Sequence, residues 1–405
     1  MKKFSLNNLK EMPLFFLLLV SCITQPGIEP QNSAGRGNVV VTEKNGISAQ
    51  VFLDYRKTNY TTPAVIQDVS SGKHTLHIFY PNRRSIPELI NVHVKENANN
   101  EAQFELQKSE CGTITVQTIP DSARIMLNNV DYGRSPLSIT GLPVGSYSVY
   151  GLLGNYHSVN SVVNVSSTGN TTSNLNLVLN RFVILEYFSN TNCAGCPAAG
   201  TAIENLLEQL PQYKDMIFQV SYHADFPSPN DPFFLTAKSD QSTRVEWYGV
   251  DTDPGGLPLI YVNGVKLVYS NEQTFIVDAK QKIETIFIKK PVAELLFKDI
   301  KLNSLQATGT IAVKNSISGL QLFVALVEDF VGYPIPPGTN NKRLFHTIFR
   351  GFSPEANGLD VGGSDAAVSF SFAVSNYAQS NLSAVAFLQD KITKEIVQSQ
   401  RIFFQ

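Results

Sequence analysis

The stretch 181-RFVILEYFSNTNCAGCPAAG-200 decides how the second half of this chain is read. Residues 181–188 form a continuous β-type apolar run, the pattern of a strand covered on both faces. A short polar loop follows, with Cys193 and Cys196 three positions apart. Beyond them Ala202, Ile203, Leu206, Leu207 and Leu210 recur at helical spacing until Pro211 stops the run. The pair therefore stands where a strand hands over to a helix. Free N–H groups and the macrodipole at a helix start favour a thiolate. Pro197 suits the first turn, where its missing N–H costs nothing. In this geometry Cys193 is expected to be the exposed, attacking sulfur and Cys196 the inward, resolving one. Zinc needs four ligands. Cys22 and Cys111 lie outside this unit, and His223 is its sole histidine, so no zinc set is assembled. A redox pair and a permanent clamp remain.

The compartment bears on that choice. Lys2, Lys3 and Lys10 precede a short apolar run, Pro13 to Val20, too short to span a bilayer and suited to a secretory signal. Its end, Leu19-Val20-Ser21-Cys22, resembles the lipobox of bacterial lipoproteins. The resemblance implies cleavage after residue 21, acylation of Cys22 and anchorage in a membrane; Ile23, rather than Asp, implies sorting to the outer membrane. Residues 22–37 read as a flexible tether. The formal net charge is −2, with no basic block. Nucleic acid is therefore not an expected partner. With 43% hydrophobic and 16% charged residues, 405 residues should build several packed cores.

Residues 38–180 consist of short alternating runs separated by Gly, Pro, Asn and Ser, the pattern of half-buried strands and turns. The pattern occurs twice: Ala49 aligns with Ala123, Pro63 with Pro136 and Gly72 with Gly145. The second copy contains Pro120-Asp121-Ser122-Ala123 and resembles the PEGA domain, a small β-sandwich. The first has Asn45-Gly46-Ile47-Ser48-Ala49 there and resembles it more loosely. His74, His77 and His157 lack ligand spacing and read as structural or exposed. Cys111, at the junction of the copies, is read as a buried free thiol.

After the cysteines come a second strand ending at His223, a Pro-rich loop, a helix within 233–248, a hairpin turning at Asn263-Gly264, and an amphipathic helix over 271–290. Glu186 interrupts the first strand; it is either a proton acceptor for the resolving thiol, with a raised pKa, or a cap on an exposed edge. Leu257-Pro258 opens a strand, where a cis peptide would leave neighbouring backbone groups free for a substrate chain. His223, on the same sheet edge as the cysteines, is either an accessory that lowers the thiolate pKa or an ordinary hydrogen-bonded histidine. Seven alternating runs over 292–405, interrupted by 333-YPIPPGTNNKR-343, suggest an immunoglobulin-like sandwich.

The element order, Cys193-Ala194-Gly195-Cys196 and Pro258 together resemble the thioredoxin superfamily. More narrowly, ILEYFSNTNCAGCPAA, VSYHADF and GLPLIYVNG resemble outer-membrane lipoproteins that join a thioredoxin-like unit to an immunoglobulin-like domain. The resemblance implies Cys193 as nucleophile, Cys196 as resolving thiol and Pro258 as a cis-proline. Two positions depart from it: Asn192 replaces the usual aromatic, and Glu186 lies one residue upstream of the usual buried acid. The expected fold class is thus multidomain: two small all-β PEGA-like sandwiches (38–109 and 110–180), an α/β thioredoxin-like domain (181–291) and a C-terminal all-β immunoglobulin-like sandwich (292–405), after a signal peptide (1–21) and tether. The expected function is thiol–disulfide exchange with envelope proteins, with a redox-active Cys193–Cys196 disulfide and no other cofactor. The alternative is a non-enzymatic envelope or adhesion lipoprotein with a structural disulfide.

Overall fold

A computed structural model describes residues 35–404 apart from 168, 211, 212 and 214. The signal peptide, Cys22 and most of the tether lie outside the described residues.

The first copy contains β1 (Arg36–Glu43), β2 (Gln50–Leu53), β3 (Arg56–Thr61), β4 (Ala64–Ser70), β5 (Gly72–Phe79), β6 (Arg83–Ile86), β7 (Ile90–Val94) and β8 (Asn99–Lys108). The second contains β9 (Cys111–Ile119), β10 (Arg124–Leu127), β11 (Val130–Arg134), β12 (Leu137–Pro143), β13 (Gly145–Leu153), β14 (Tyr156–Ser158), β15 (Ser161–Val165) and β16 (Asn170–Leu179). Their connectivity repeats in most strands, except that β14 joins β13 to β16 where β6 pairs with β8 alone. β1 runs parallel to β8 and antiparallel to β4, as β9 does to β16 and β12. Likewise β2 joins β3 and β5 where β10 joins β11 and β13, and β7 flanks β5 where β15 flanks β13.

The aligned residues explain the repeat. Ala49 and Ala123 are fully buried. The carbonyl of Ala49 accepts from the amide of Thr62 at 2.9 Å, and that of Ala123 from Ser135 at 2.8 Å, in each case just before a cis proline. Gly37 and Gly112, near the starts of β1 and β9, lie against the carbonyls of Lys95 and Ser166 respectively, so neither has room for a side chain. Alternating burial along β1 and β9 places Val39 and Val41 in one apolar cluster and Ile114 and Val116 in another, one per copy.

The second half comprises β17 (Val183–Ser189), α1 (Cys196–Glu208), β18 (Ile217–His223), α2 (Pro232–Thr236), α3 (Lys238–Tyr248), β19 (Leu259–Val262), β20 (Val265–Leu267) and α4 (Glu272–Phe287). Then follow β21 (Glu294–Leu302), β22 (Gln306–Lys314), β23 (Leu320–Glu328), β24 (Val331–Gly332), β25 (Leu344–Phe345), β26 (Ile348–Phe352), β27 (Leu359–Asp360), β28 (Ala366–Ala373), β29 (Leu382–Asp390) and β30 (Ile396–Phe403).

The expected fold class is corrected here. The described chain is mostly β, 51% strand and 13% helical, with four α-helices. An α/β thioredoxin-like domain beside a self-contained immunoglobulin-like sandwich is not what forms. One nine-stranded sheet runs β20-β19-β17-β18-β26-β23-β29-β30, with β27 off β23. Its two parts meet where Ser221 of β18 pairs with Ile348 of β26. Hydrophobic alternation assigns strands but not the sheet they join, and β18 would otherwise present an open edge.

One apolar cluster crosses this junction. It combines Ile184, Phe188, Val220 and Tyr222 with Phe323, Phe349, Phe352 and Phe387, under Val245 of α3. On the opposite face, α1 and α4 cover β17 and β19. The three-stranded sheet β21-β22-β28 shares a further core with β23 and β29.

Candidate disulfide site

In β17, successive side chains alternate between the two faces of the sheet. Leu185 and Tyr187 join the cluster beneath α1 and α4, whereas Ile184 and Phe188 join the opposite one. Cys193 and Cys196 belong to the Tyr187 side and are joined in a disulfide, with Cα atoms 5.4 Å apart. Cys193 sits in the turn before α1, its amide donating to the carbonyl of Asn190 at 3.0 Å. Cys196 opens the helix, and its carbonyl accepts the Tyr187 hydroxyl at 2.6 Å. Burial pushes the Tyr187 hydroxyl above its ordinary pKa, so it stays a donor.

The N-terminus of α1 has no side-chain cap and no acidic residue in its first turn. The Cys196 and Ala199 amides already donate to the Cys193 and Gly195 carbonyls and Pro197 has none, so it is the helix dipole that acts on the sulfurs, without a competing anion. The Leu257–Pro258 peptide is cis, and Pro258 packs against the turn: a Cβ on Gly195 would lie 3.4 Å from its Cδ. Cys193, expected to be exposed, retains only 5% of its surface and Cys196 1%. Both cysteines belong to the apolar cluster of α1, α4, β17 and β19, and the loop between β24 and β25 packs on the turn ahead of them. There Gly338 lies against the Thr191 carbonyl and the Asn192 side chain, with no room for a Cβ. The amide of Asn340 donates to the Thr191 carbonyl at 3.0 Å. Asn192, standing where an aromatic was expected, thus lies beneath a glycine of this loop.

Glu186 requires a correction of role. It is fully buried on the face away from the disulfide, accepts from Arg244 Nε and Nη2 at 2.8 and 2.6 Å, and takes the Tyr248 hydroxyl at 2.6 Å. Arg244 reaches on to Gln389 of β29 at 2.7 Å. Burial would lower the Arg244 pKa, but Glu186 more than offsets this and holds it charged. Glu186 is therefore the counter-ion of a buried network tying β17 to α3 and β29. It is neither a proton acceptor for Cys196 nor an edge cap.

His223 is 2% exposed, and its Nδ1 lies 2.8 Å from Asp231, which also accepts from the Thr191 amide at 2.6 Å and caps α2. Burial would raise the Asp231 carboxyl, but His223 and the Thr191 and Phe234 amides hold it below its usual value. His223 lines the same cleft as Cys196, together with Tyr187, Glu204, Lys342 and His346. Tyr187, Asp231, Asn340 and Lys342 were not singled out in the sequence. The one available signal was Asp231-Pro232, a helix-start dipeptide. No group of three or more potential ligands is positioned for a metal among the described residues. Cys111 is free and half-buried; burial pushes its thiol pKa up, and its sulfur lies 3.2 Å from the Ser109 carbonyl.

Fold and site together define a chain of β repeats leading to a mixed sheet that carries a buried CxxC disulfide. Residues 111–181 match the PEGA domain family. Among solved structures, the chain is similar to HBP35 of Porphyromonas gingivalis, at 16% identity and a TM-score of 0.47, covering 56% of this chain and 76% of that one. It is also similar to a domain of the outer membrane lipoprotein Omp28 from Porphyromonas gingivalis, at 17% identity and a TM-score of 0.21, covering 29% and 92%. A streptococcal ancillary pilin matches at 10% identity and a TM-score of 0.15, covering 36% and 63%. No curated protein matches significantly. With scores this low, the role of the chain has to come from its own residues. Among the described residues, no helix is long and apolar enough to cross a membrane.

Proposed function

We propose that this chain is a cell-envelope lipoprotein, anchored through Cys22, whose Cys193–Cys196 pair exchanges with thiols and disulfides of other envelope proteins. The observation that carries the reading is the placement of the pair across the uncapped start of α1, with Pro258 packed against Gly195. A thiolate formed there is stabilised by the helix dipole, which makes either sulfur a better leaving group.

In the oxidising direction a substrate thiolate attacks Cys193 Sγ, the Cys193–Cys196 bond breaks, and Cys196 leaves as a thiolate. A second substrate thiolate then attacks the mixed disulfide and releases Cys193. The substrate loses two electrons and the pair gains them. In the reducing direction, Cys193 attacks a substrate disulfide and Cys196 resolves the mixed species. The β repeats serve as spacer and docking modules between membrane and site.

One observation favours a second reading, a structural clamp: the sulfurs are 5% and 1% exposed. The Cys196→Ser variant separates the two. Exchange predicts mixed disulfides between Cys193 and envelope proteins, resolved by reductant on a non-reducing gel. A clamp predicts none. Metabolic labelling with a fatty acid, lost in Cys22→Ser, tests the anchor.

A further inference from the structure

The loop packed on the turn before Cys193 is the tip of a hairpin with a firm base. Val331 and Gly332 pair with Phe345 and Leu344, the amide of Tyr333 donates to the Arg343 carbonyl at 2.9 Å, and Arg343 Nε returns a bond to the Tyr333 carbonyl at 3.0 Å. Beneath them Val331, Tyr333 and Phe345 form an apolar cluster with Phe233 and Ile348. The tip, residues 334–342, has no such anchorage. Ile335 is 71% exposed, and Pro334, Thr339 and Asn341 also face solvent.

Few bonds hold the tip to the site. The Asn340 amide donates to the Thr191 carbonyl at 3.0 Å, Asn340 Nδ2 to the Asn190 carbonyl at 3.3 Å, and Lys342 lies 3.6 Å from Glu204 of α1. Asn340 Oδ1 also accepts the Lys342 amide at 3.0 Å, which sets the shape of the tip. The Asn340 bonds and the packing of Gly338 bear on Asn190, Thr191 and Asn192, the three residues before Cys193, while Asn340 and Lys342 line the cleft onto which Cys196 faces. The cysteines are packed in the core of their own half, and the turn ahead of them is covered in addition by a segment about 140 residues further along the chain, closed at its base and loosely fastened at its tip.

We propose that residues 334–342 are a gate over the disulfide. Closed, the gate blocks in-line approach of a thiolate to either sulfur. Opening breaks the Asn340 and Lys342 contacts and leaves the β24–β25 ladder and the cluster beneath it intact. Exchange is then regulated by the opening of this hairpin, so a partner that engages the tip also exposes the pair. The inference deepens the exchange reading and rests on it.

The test is the rate at which excess dithiothreitol reduces the pair in the folded protein, followed by alkylation and mass spectrometry. Each turnover breaks the Cys193–Cys196 bond, leaves two protein thiols and converts the dithiol to its cyclic disulfide. The Asn340→Ala/Lys342→Ala variant loses one side-chain bond to the site and the ion pair, and should be reduced about tenfold faster, with thermal unfolding close to wild type. Gly338→Val, which cannot lie against Thr191, should show the same acceleration. Wild-type rates in folded variants would overturn the gate. The exchange reading fails separately, if Cys196→Ser added to the open-gate variant traps no envelope protein although its disulfide-free site is accessible to alkylation.

Discussion

Glu186 and Tyr187 are neighbours in β17 yet face opposite sides of the nine-stranded sheet: Tyr187 donates to the Cys196 carbonyl, and Glu186 pairs with Arg244. The carboxylate closest in sequence to the CxxC turn on its N-terminal side is thereby kept away from the sulfurs. Its partner Arg244 is 1% exposed, so the pair is sealed from solvent.

Glu186→Gln should therefore act on stability and not on redox chemistry. Leaving Arg244 as a buried charge without its counter-ion costs about 3–5 kcal/mol. Denaturant unfolding should show that loss, whereas the reduction potential of the pair in the folded variant stays at the wild-type value. A shifted potential with unchanged stability would return Glu186 to the site.

Residues 181–291 should not fold alone. Such a fragment loses Gln389 from the Arg244 network and Phe323, Phe349, Phe352 and Phe387 from the shared cluster, and it exposes the edge of β18. Residues 181–405 should unfold cooperatively, and 181–291 should not. A stable, cooperative short fragment would restore an independent domain.

Gly37→Ala and Gly112→Ala test the repeat. Each new methyl meets a carbonyl, of Lys95 in one copy and Ser166 in the other, so each should cost at least about 1–3 kcal/mol in its own copy. Hydrogen exchange would show the loss confined to β1 and β8 in the first variant and to β9 and β16 in the second.

Two histidine–aspartate pairs should give opposite pH slopes. The folded pKa of Asp231 lies below its ordinary value, so its stabilisation is complete above about pH 4 and is lost as pH falls through the folded value. For His74, burial lowers the pKa but Asp54, at 2.7 Å, more than reverses this, and the folded value is raised. Its stabilisation is present below about pH 6.5 and is lost as pH rises through the folded value. Urea midpoints across pH 3–9 should flatten on the acid side in Asp231→Asn and on the neutral side in His74→Gln.

The local structure was legible wherever it rests on period and turn chemistry. The helix after Cys196, the hairpin at Asn263-Gly264 with both residues at positive φ, and the equivalence of Ala49 with Ala123 follow from neighbours in the chain. What was not legible rests on contacts far apart in sequence. Ser221 pairs with Ile348, Arg244 reaches Gln389, and Asn340 covers Thr191. A strand pattern does not encode its neighbour, so the nine-stranded sheet was divided into two domains. The sequence leaves Glu186 open between the disulfide and a strand edge for the same reason: alternation fixes that adjacent residues face apart, but not which face carries the helix.

The reduction potential of Cys193–Cys196 in the folded protein, measured against glutathione or dithiothreitol buffers, tests the central claim most directly. A working exchange pair should equilibrate between about −270 and −120 mV. A value below about −300 mV, the range of structural disulfides, would make the pair a clamp and contradict the account.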